Sequence, residues 1–133
     1  MNRNWEILQS AKTVAVVGLS GKRYRPSYGV AEYLKREGYR VIPVNPEQTE
    51  VLGEKCYPDL DSVPGEIDVV DIFRRSEFVP EIVEGAIRKG VKVIWMQEGV
   101  FHEEAARRAR EAGLTVVMDR CILKDHRRLA HAS

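Results

Sequence analysis

A doubly wound, mainly parallel α/β sheet of five strands with helices on both faces is what this sequence predicts, on two observations. The first is a unit that recurs three times, "GYRVIPV" from Gly38, "GVKVIWM" from Gly90 and "GLTVVMD" from Gly113. Each is a glycine, an apolar residue, a polar residue and then a β-branched apolar run. Glycine suits the left-handed position that ends a helix, and the run after it suits a buried strand. The second is that the segments before these joints have helical spacing, with apolar residues on one face. Helices that alternate with continuous apolar strands argue for a parallel sheet with helices on both sides.

Element by element, "TVAVVG" at 13–18 is the first strand. A helix follows before Gly38, with Val30, Leu34 and the Tyr33 ring on one face. The strand after Gly38 is the second. Residues 46–67, "PEQTEVLGEKCYPDLDSVPGEI", are broken by Pro46, Gly53, Pro58, Pro64 and Gly65, which leaves room for a short strand near Val51 and one helical turn around Leu60. "DVVDIF" at 68–73 is the third strand. Val79, Ile82, Val83, Ala86 and Ile87 mark the next helix, the strand after Gly90 is the fourth, and Ala105, Ala106, Ala109 and Ala112 mark the helix before the fifth. "RCILKDHRRLAHAS" is expected to form a last short helix and a frayed end. No linker or low-complexity tract divides the chain, so residues 1–133 are expected to form one domain.

The 133 residues are 44% hydrophobic, with 21 Lys+Arg against 20 Asp+Glu. A net charge of +1 excludes a generally basic nucleic-acid binder or membrane-surface protein, so any charge signal must be local. "MNRNWEILQSAK" has neither the apolar run nor the cleavage site of a signal peptide, and no stretch is apolar enough to span a membrane; a cytoplasmic location is expected. Cys56 and Cys121 form no CxxC and are expected to be reduced, buried thiols. No cluster has zinc-site spacing. His102, His126 and His131 are read as surface histidines, Asp68, Asp71 and Asp119 as partners of arginines or caps of turns, and Trp5 and Trp95 as packing residues.

In an open parallel sheet, ligands bind beyond the carboxyl ends of the strands, where the strand order reverses. That edge should collect the loop "GLSGKRYRPSYGV" at 18–30, then Val44–Pro46, Phe73–Arg75 and Met96–Gly99. It brings Lys22, Arg23, Arg25, Arg74 and Arg75 together, opposed mainly by Glu47, Glu77 and Glu98. An anionic ligand is expected. Gly18 and Gly21 allow close backbone approach, Pro26 sets the turn into the helix, and Ser27 is read as its N-cap; the free N–H groups of that turn suit a phosphate. The loop is neither GxGxxG nor GxxxxGK[ST]. Asn45 and Pro46 stand where a NAD site wants an acidic residue, so NAD is disfavoured, while NADP stays open because cations are available.

Taken together, "VAVVGLS", "EGYRVIPVNP", "DVVDIFRR", "VIWMQEGV" and "AGLTVVMDRCI" resemble the small CoA-binding proteins, related in fold to the CoA-binding domain of the succinyl-CoA synthetase alpha subunit and of ADP-forming acyl-CoA synthetases. The resemblance runs from about Trp5 to Leu129. It implies a Rossmann-like sheet with coenzyme A as the ligand across its carboxyl edge, with Gly18, Ser20 and Lys22 at the pyrophosphate and Ser27 and Tyr28 opening the helix beneath it, in a loop to which Arg25 adds a cation. Asn45 and Pro46 would line the nucleotide side, Phe73 and Arg74 the third-strand wall, with Arg75 near a phosphate, and Gln97 to Gly99 the pantetheine path. The synthetases complete catalysis with a second domain carrying a phosphorylated histidine, for which a chain ending at Ser133 leaves no room. The expectation is a non-catalytic binder of coenzyme A or an acyl-CoA; an NADP-dependent or acyl-transfer enzyme subunit is the alternative, and a homo-oligomer or partner subunit stays open.

Overall fold

Gly38, Gly90 and Gly113 all have left-handed backbones, with φ of +100°, +74° and +92°, so each turns the chain from a helix into a strand as its missing Cβ permits. The computed structural model describes residues 3–131. Its main sheet consists of β1 (Thr13–Val17), β2 (Arg40–Val44), β5 (Val69–Ile72), β6 (Val93–Met96) and β7 (Thr115–Val117). All neighbours run parallel, in the order β2-β1-β5-β6-β7. A two-residue pair, β3 (Glu50–Val51) and β4 (Glu54–Lys55), forms a separate hairpin beside β2. The predicted α/β class and its five strands are therefore present. The irregular segment differs in one respect: around Leu60 there is no helical turn, because the Asp59 carboxylate accepts from the Ser62 N–H and holds the chain in a turn.

Among the described residues five α-helices cover the sheet: α1 (Arg3–Ser10), α2 (Pro26–Arg36), α3 (Val79–Lys89), α4 (Glu103–Glu111) and α5 (Ile122–Ala130). Strand residues alternate between two cores. Ala15, Val17, Val70, Ile72, Ile94 and Met96 pack with α3 and α4. Val14, Val16, Val69 and Trp95 pack with Leu8 of α1, Val30 and Leu34 of α2, and Ile122 and Leu129 of α5. The first helix has no counterpart in the sequence reading; eight residues with one buried side chain give too short a periodic signal. The last helix ends at Ala130, and the frayed end expected after it falls largely on residues 132–133, outside those described.

Candidate functional site

The chain connections diverge between β1 and β5, since β2 lies on one side of β1 and the rest of the sheet on the other. Beyond their carboxyl ends the loops after β1, β2 and β5 meet. Gly18 has φ +89°, and a Cβ there would overlap the Phe73 carbonyl oxygen, so only glycine lets the first and third loops touch. Asn45 ties in the second loop: its amide nitrogen donates to the Leu19 carbonyl at 3.0 Å, and its side-chain oxygen accepts from the Glu47 N–H at 2.9 Å. Gln48 lies against Gly21, where a Cβ would come within 2.8 Å of its Oε1.

Within the opening loop, Ser20 Oγ accepts from the Lys22 N–H at 3.0 Å, and the Arg25 N–H closes a turn onto the Lys22 carbonyl at 3.1 Å. The cap of α2 falls on Arg25, with Pro26 as the first helical residue, so Ser27 is not the N-cap. Its hydroxyl is buried and accepts from the Ser20 N–H at 3.0 Å, pinning the loop to the helix. The first turn of α2 holds no acidic residue, whereas those of α1, α3, α4 and α5 hold Glu6, Glu81, Glu103 with Glu104, and Asp125. The partial positive charge of that helix end is thus left uncompensated by its own side chains.

A cleft of about 360 Å³ opens over this turn, lined by Gly18, Ser20, Lys22, Arg25, Pro26, Ser27, Asn45, Glu47, Gln48, Phe73 and Arg74. Among the described residues, Lys22, Arg25 and Arg74 have no carboxylate within ion-pair distance. Arg74 instead stacks on the Phe78 ring at 4.4 Å from its centroid. A second cleft of about 380 Å³ shares Gly18 and Arg74 with the first and continues between the end of β2, the turn at Pro58–Asp61 and α3. A third, of about 240 Å³, lies at the ends of β6 and β7 around Glu98, Asp119, Arg120, Cys121, Lys124, Asp125 and Arg128.

Eight of the residues picked out in the sequence line the first cleft: Gly18, Ser20, Lys22, Arg25, Ser27, Asn45, Phe73 and Arg74. Pro46 lines the second. The other four lie elsewhere. Tyr28 packs against the core beneath the helix. Arg75 is 79% exposed and reaches Glu77 at 3.6 Å. Gln97 is buried and accepts from the Ile122 N–H at 3.0 Å, which caps α5, and Gly99 donates its N–H to Asp119 at 2.8 Å. Sequence reasoning missed Gln48 in the first cleft, and in the second Asp59, Glu81 and Gly85, for which nothing local signals a site.

Two titratable groups depart from their sequence readings. Among the described residues Asp71 neither pairs nor caps: it stands inside β5 beside Val16 and Trp95, 0% exposed, and both carboxylate oxygens lack a hydrogen-bond partner there. Burial pushes its carboxyl well above the usual range. His126 is no surface residue; it is buried among Trp5, Tyr33 and Tyr39, 2.7 Å from the Tyr33 hydroxyl, and burial lowers its basicity. Asp68 and Asp119 do cap turns, accepting from Lys12 and Thr13 N–H and from Gly99 N–H. His102 caps α4, His131 is exposed, and both cysteines are free and buried. Among the described residues no group of three or more His, Cys, Asp or Glu could hold a metal ion, and no helix is long and apolar enough to cross a membrane.

Counted without the β3–β4 hairpin, the main sheet has the strand order 2-1-3-4-5 of a doubly wound α/β domain, and the cleft with unpaired cations lies at its switch point, the place where such sheets hold ligands. The particular family follows from comparison: residues 12–127 match the CoA binding domain, and the chain belongs to that family. It is similar to the uncharacterized protein YneT of Bacillus subtilis, 44% identical over 121 residues, covering 91% of this chain and 90% of that one. A solved hypothetical protein from Pyrococcus horikoshii superposes with a TM-score of 0.94 at 46% identity, covering 96% of this chain and 89% of the other. The ADP-forming acetate–CoA ligase II of Archaeoglobus fulgidus is 33% identical over 100 residues, which cover 74% of this chain but only 15% of the ligase.

Proposed function

We propose that this protein binds coenzyme A or an acyl-CoA across the carboxyl edge of its sheet, without catalytic residues of its own. The observation that carries the reading is the gathering of Lys22, Arg25 and Arg74, none paired with a carboxylate, around the one described α-helix whose first turn lacks an acid. Coenzyme A brings a pyrophosphate and a ribose 3′-phosphate, about four negative charges near neutrality, which suits several cations better than the single acidic residue that a NAD site would use. Lys22, Arg25 and Arg74 would hold phosphates, with the N–H groups of the α2 turn. Each exposed ion pair is worth only about 0–1 kcal/mol, so affinity has to come from their sum and the helix end.

The non-catalytic part rests on the serines of the cleft. Ser27 Oγ is spent on the Ser20 N–H and Ser20 Oγ on the Lys22 N–H, and no histidine lines the cleft to activate either. The similarity to part of an acetate–CoA ligase favours a second reading, in which a partner subunit supplies the chemistry.

Thermal melts with CoA, dephospho-CoA, acetyl-CoA, NAD and NADPH test the proposal. A ligand at a hundredfold excess over its dissociation constant adds about 2.7 kcal/mol, enough to raise Tm by several degrees at this chain length. Stabilisation by CoA, less by dephospho-CoA and none by NAD is the expected pattern. Silence with CoA and a response to NADPH would overturn it, and turnover of an acyl-CoA by the purified chain would remove the non-catalytic part.

A further inference from the structure

Arg74 is fixed at both ends of its side chain without using a single donor. A Cβ on Gly18 would lie 3.1 Å from Arg74 Cδ, so the stem passes close over that glycine. The guanidinium sits 4.4 Å from the centroid of the Phe78 ring, inside the range over which an aromatic face attracts a cation. Among the described residues that guanidinium makes no hydrogen bond or ion pair. Phe78 is a firm support. It closes the 3₁₀ turn Ser76–Phe78 by donating its N–H to the Arg75 carbonyl at 2.9 Å, and the next residue, Val79, is wholly buried at the start of α3.

Other arginines of this fold are held differently. Arg88 grips Asp61 with hydrogen bonds of 3.2 and 3.0 Å, Arg108 grips Glu84 at 3.0 and 3.2 Å, and Arg120 grips Asp125 at 2.7 Å twice. A carboxylate orients a guanidinium but occupies its fork and cancels its charge. A ring orients it by the face and leaves the N–H donors, which lie in the plane, pointing outward with the charge intact. The remaining guanidinium contacts at this edge do not achieve this. Arg75 lies 5.4 Å from the same ring, but Glu77 opposes its charge at 3.6 Å. Arg25 lies 5.7 Å from Tyr24, whose ring is 75% exposed and offers no fixed support.

Resting on the proposed function for the identity of the anion, we infer that Phe78 is a positioning residue for anion binding: it lines neither cleft that Arg74 shares, yet it holds the Arg74 guanidinium over the basic one with every donor free. The gain is preorganisation, since an arginine already oriented loses less side-chain freedom when a phosphate arrives. The same geometry asks for arginine at position 74. Lysine keeps the charge but brings a compact ammonium without the planar fork that stacks and binds two oxygens at once.

Calorimetric titrations of CoA and of inorganic pyrophosphate into the full chain test this. Phe78→Leu, which keeps apolar bulk but removes the ring, is expected to weaken both ligands about threefold, and Phe78→Tyr to restore them. Pentafluorophenylalanine at position 78 keeps the outline of the ring but reverses the potential of its face, and is expected to behave as leucine does. Arg74→Ala loses about fivefold by itself, and on that background none of the changes at position 78 should matter. Arg74→Lys should fall short of wild type with CoA. Losses of equal size at position 78 with and without Arg74 would reduce Phe78 to a structural residue and overturn the inference, as would unchanged affinity with the fluorinated ring. Should Phe78→Leu fail to fold, the fluorinated chain decides alone. Pyrophosphate bound in this Phe78-dependent way, with no binding of CoA, would overturn the coenzyme A reading and leave the inference standing; failure of wild type to bind either ligand would overturn both.

Discussion

Of the three clefts at the carboxyl edge of the sheet, two lie at the start of a helix and carry three cations each, and they differ in whether those cations are paired. At the ends of β6 and β7, every cation is paired: Lys124 with Glu98 at 3.0 Å, Arg120 with Asp125 at 2.7 Å, and Arg128 with the same Asp125 at 3.8 Å. Although burial works against charge at Asp125, the Arg120 and Asn4 hydrogen bonds outweigh it and hold the carboxyl below its usual range. At the end of β1, Lys22, Arg25 and Arg74 have no such partners, and the helix they surround has no acid in its first turn. A cation with a partner in its own chain is committed to the fold. One without remains available to a ligand, and the two clefts should respond to substitution in opposite ways.

The largest separation is expected from removing two cations of the open cleft together. Lys22→Ala with Arg74→Ala should weaken CoA by about tenfold to thirtyfold, each exposed contact contributing up to about 1 kcal/mol, while Tm stays near wild type. Arg120→Ala should do the reverse. It leaves a buried carboxylate with weaker support and should cost about 1–3 kcal/mol of stability, read as a lower Tm, with CoA affinity unchanged. Loss of CoA binding in Arg120→Ala would break the contrast.

Ser27→Ala sharpens it. The Ser20 N–H loses its acceptor, so stability should fall by about 1 kcal/mol and CoA should weaken severalfold, because the loop is no longer pinned over the helix end. Arg75→Ala should have the smallest effect on CoA, about twofold, since an exposed charge with a nearby carboxylate contributes little.

pH separates two buried groups by sign. Asp71 has a raised folded pKa, so stability is greatest below the ordinary aspartate range and is lost as pH rises from there toward the folded value. Asp71→Asn should therefore flatten this loss with rising pH and raise Tm at neutral pH. His126 is depressed by burial, so its contribution is present above the ordinary histidine range and lost as pH falls through the folded value. Melting curves of His126→Gln should lack that step.

Much of this was legible in the sequence where the cause is local. Gly38, Gly90 and Gly113 announce their turns because a left-handed backbone selects glycine, and β1 and β6 announce themselves because a strand covered on both faces must be apolar throughout. The cations of residues 22–25 and 74–75 are assigned to one edge because both loops follow the carboxyl ends of parallel strands. Causes that lie across the fold were not legible. His126 looks like a tail residue until α1 and α2 bring Trp5 and Tyr33 around it. Ser27 reads as a cap because it precedes a helix, but Pro26 takes the first helical position and turns the hydroxyl onto Ser20.

Amide chemical shifts of the ¹⁵N-labelled protein, followed as CoA is added, test the contrast most directly. Saturable shifts are expected at residues 18–28, 45–48 and 73–75, with residues 119–128 still. Shifts confined to the paired cleft at 119–128, or none anywhere at millimolar CoA, would contradict the account.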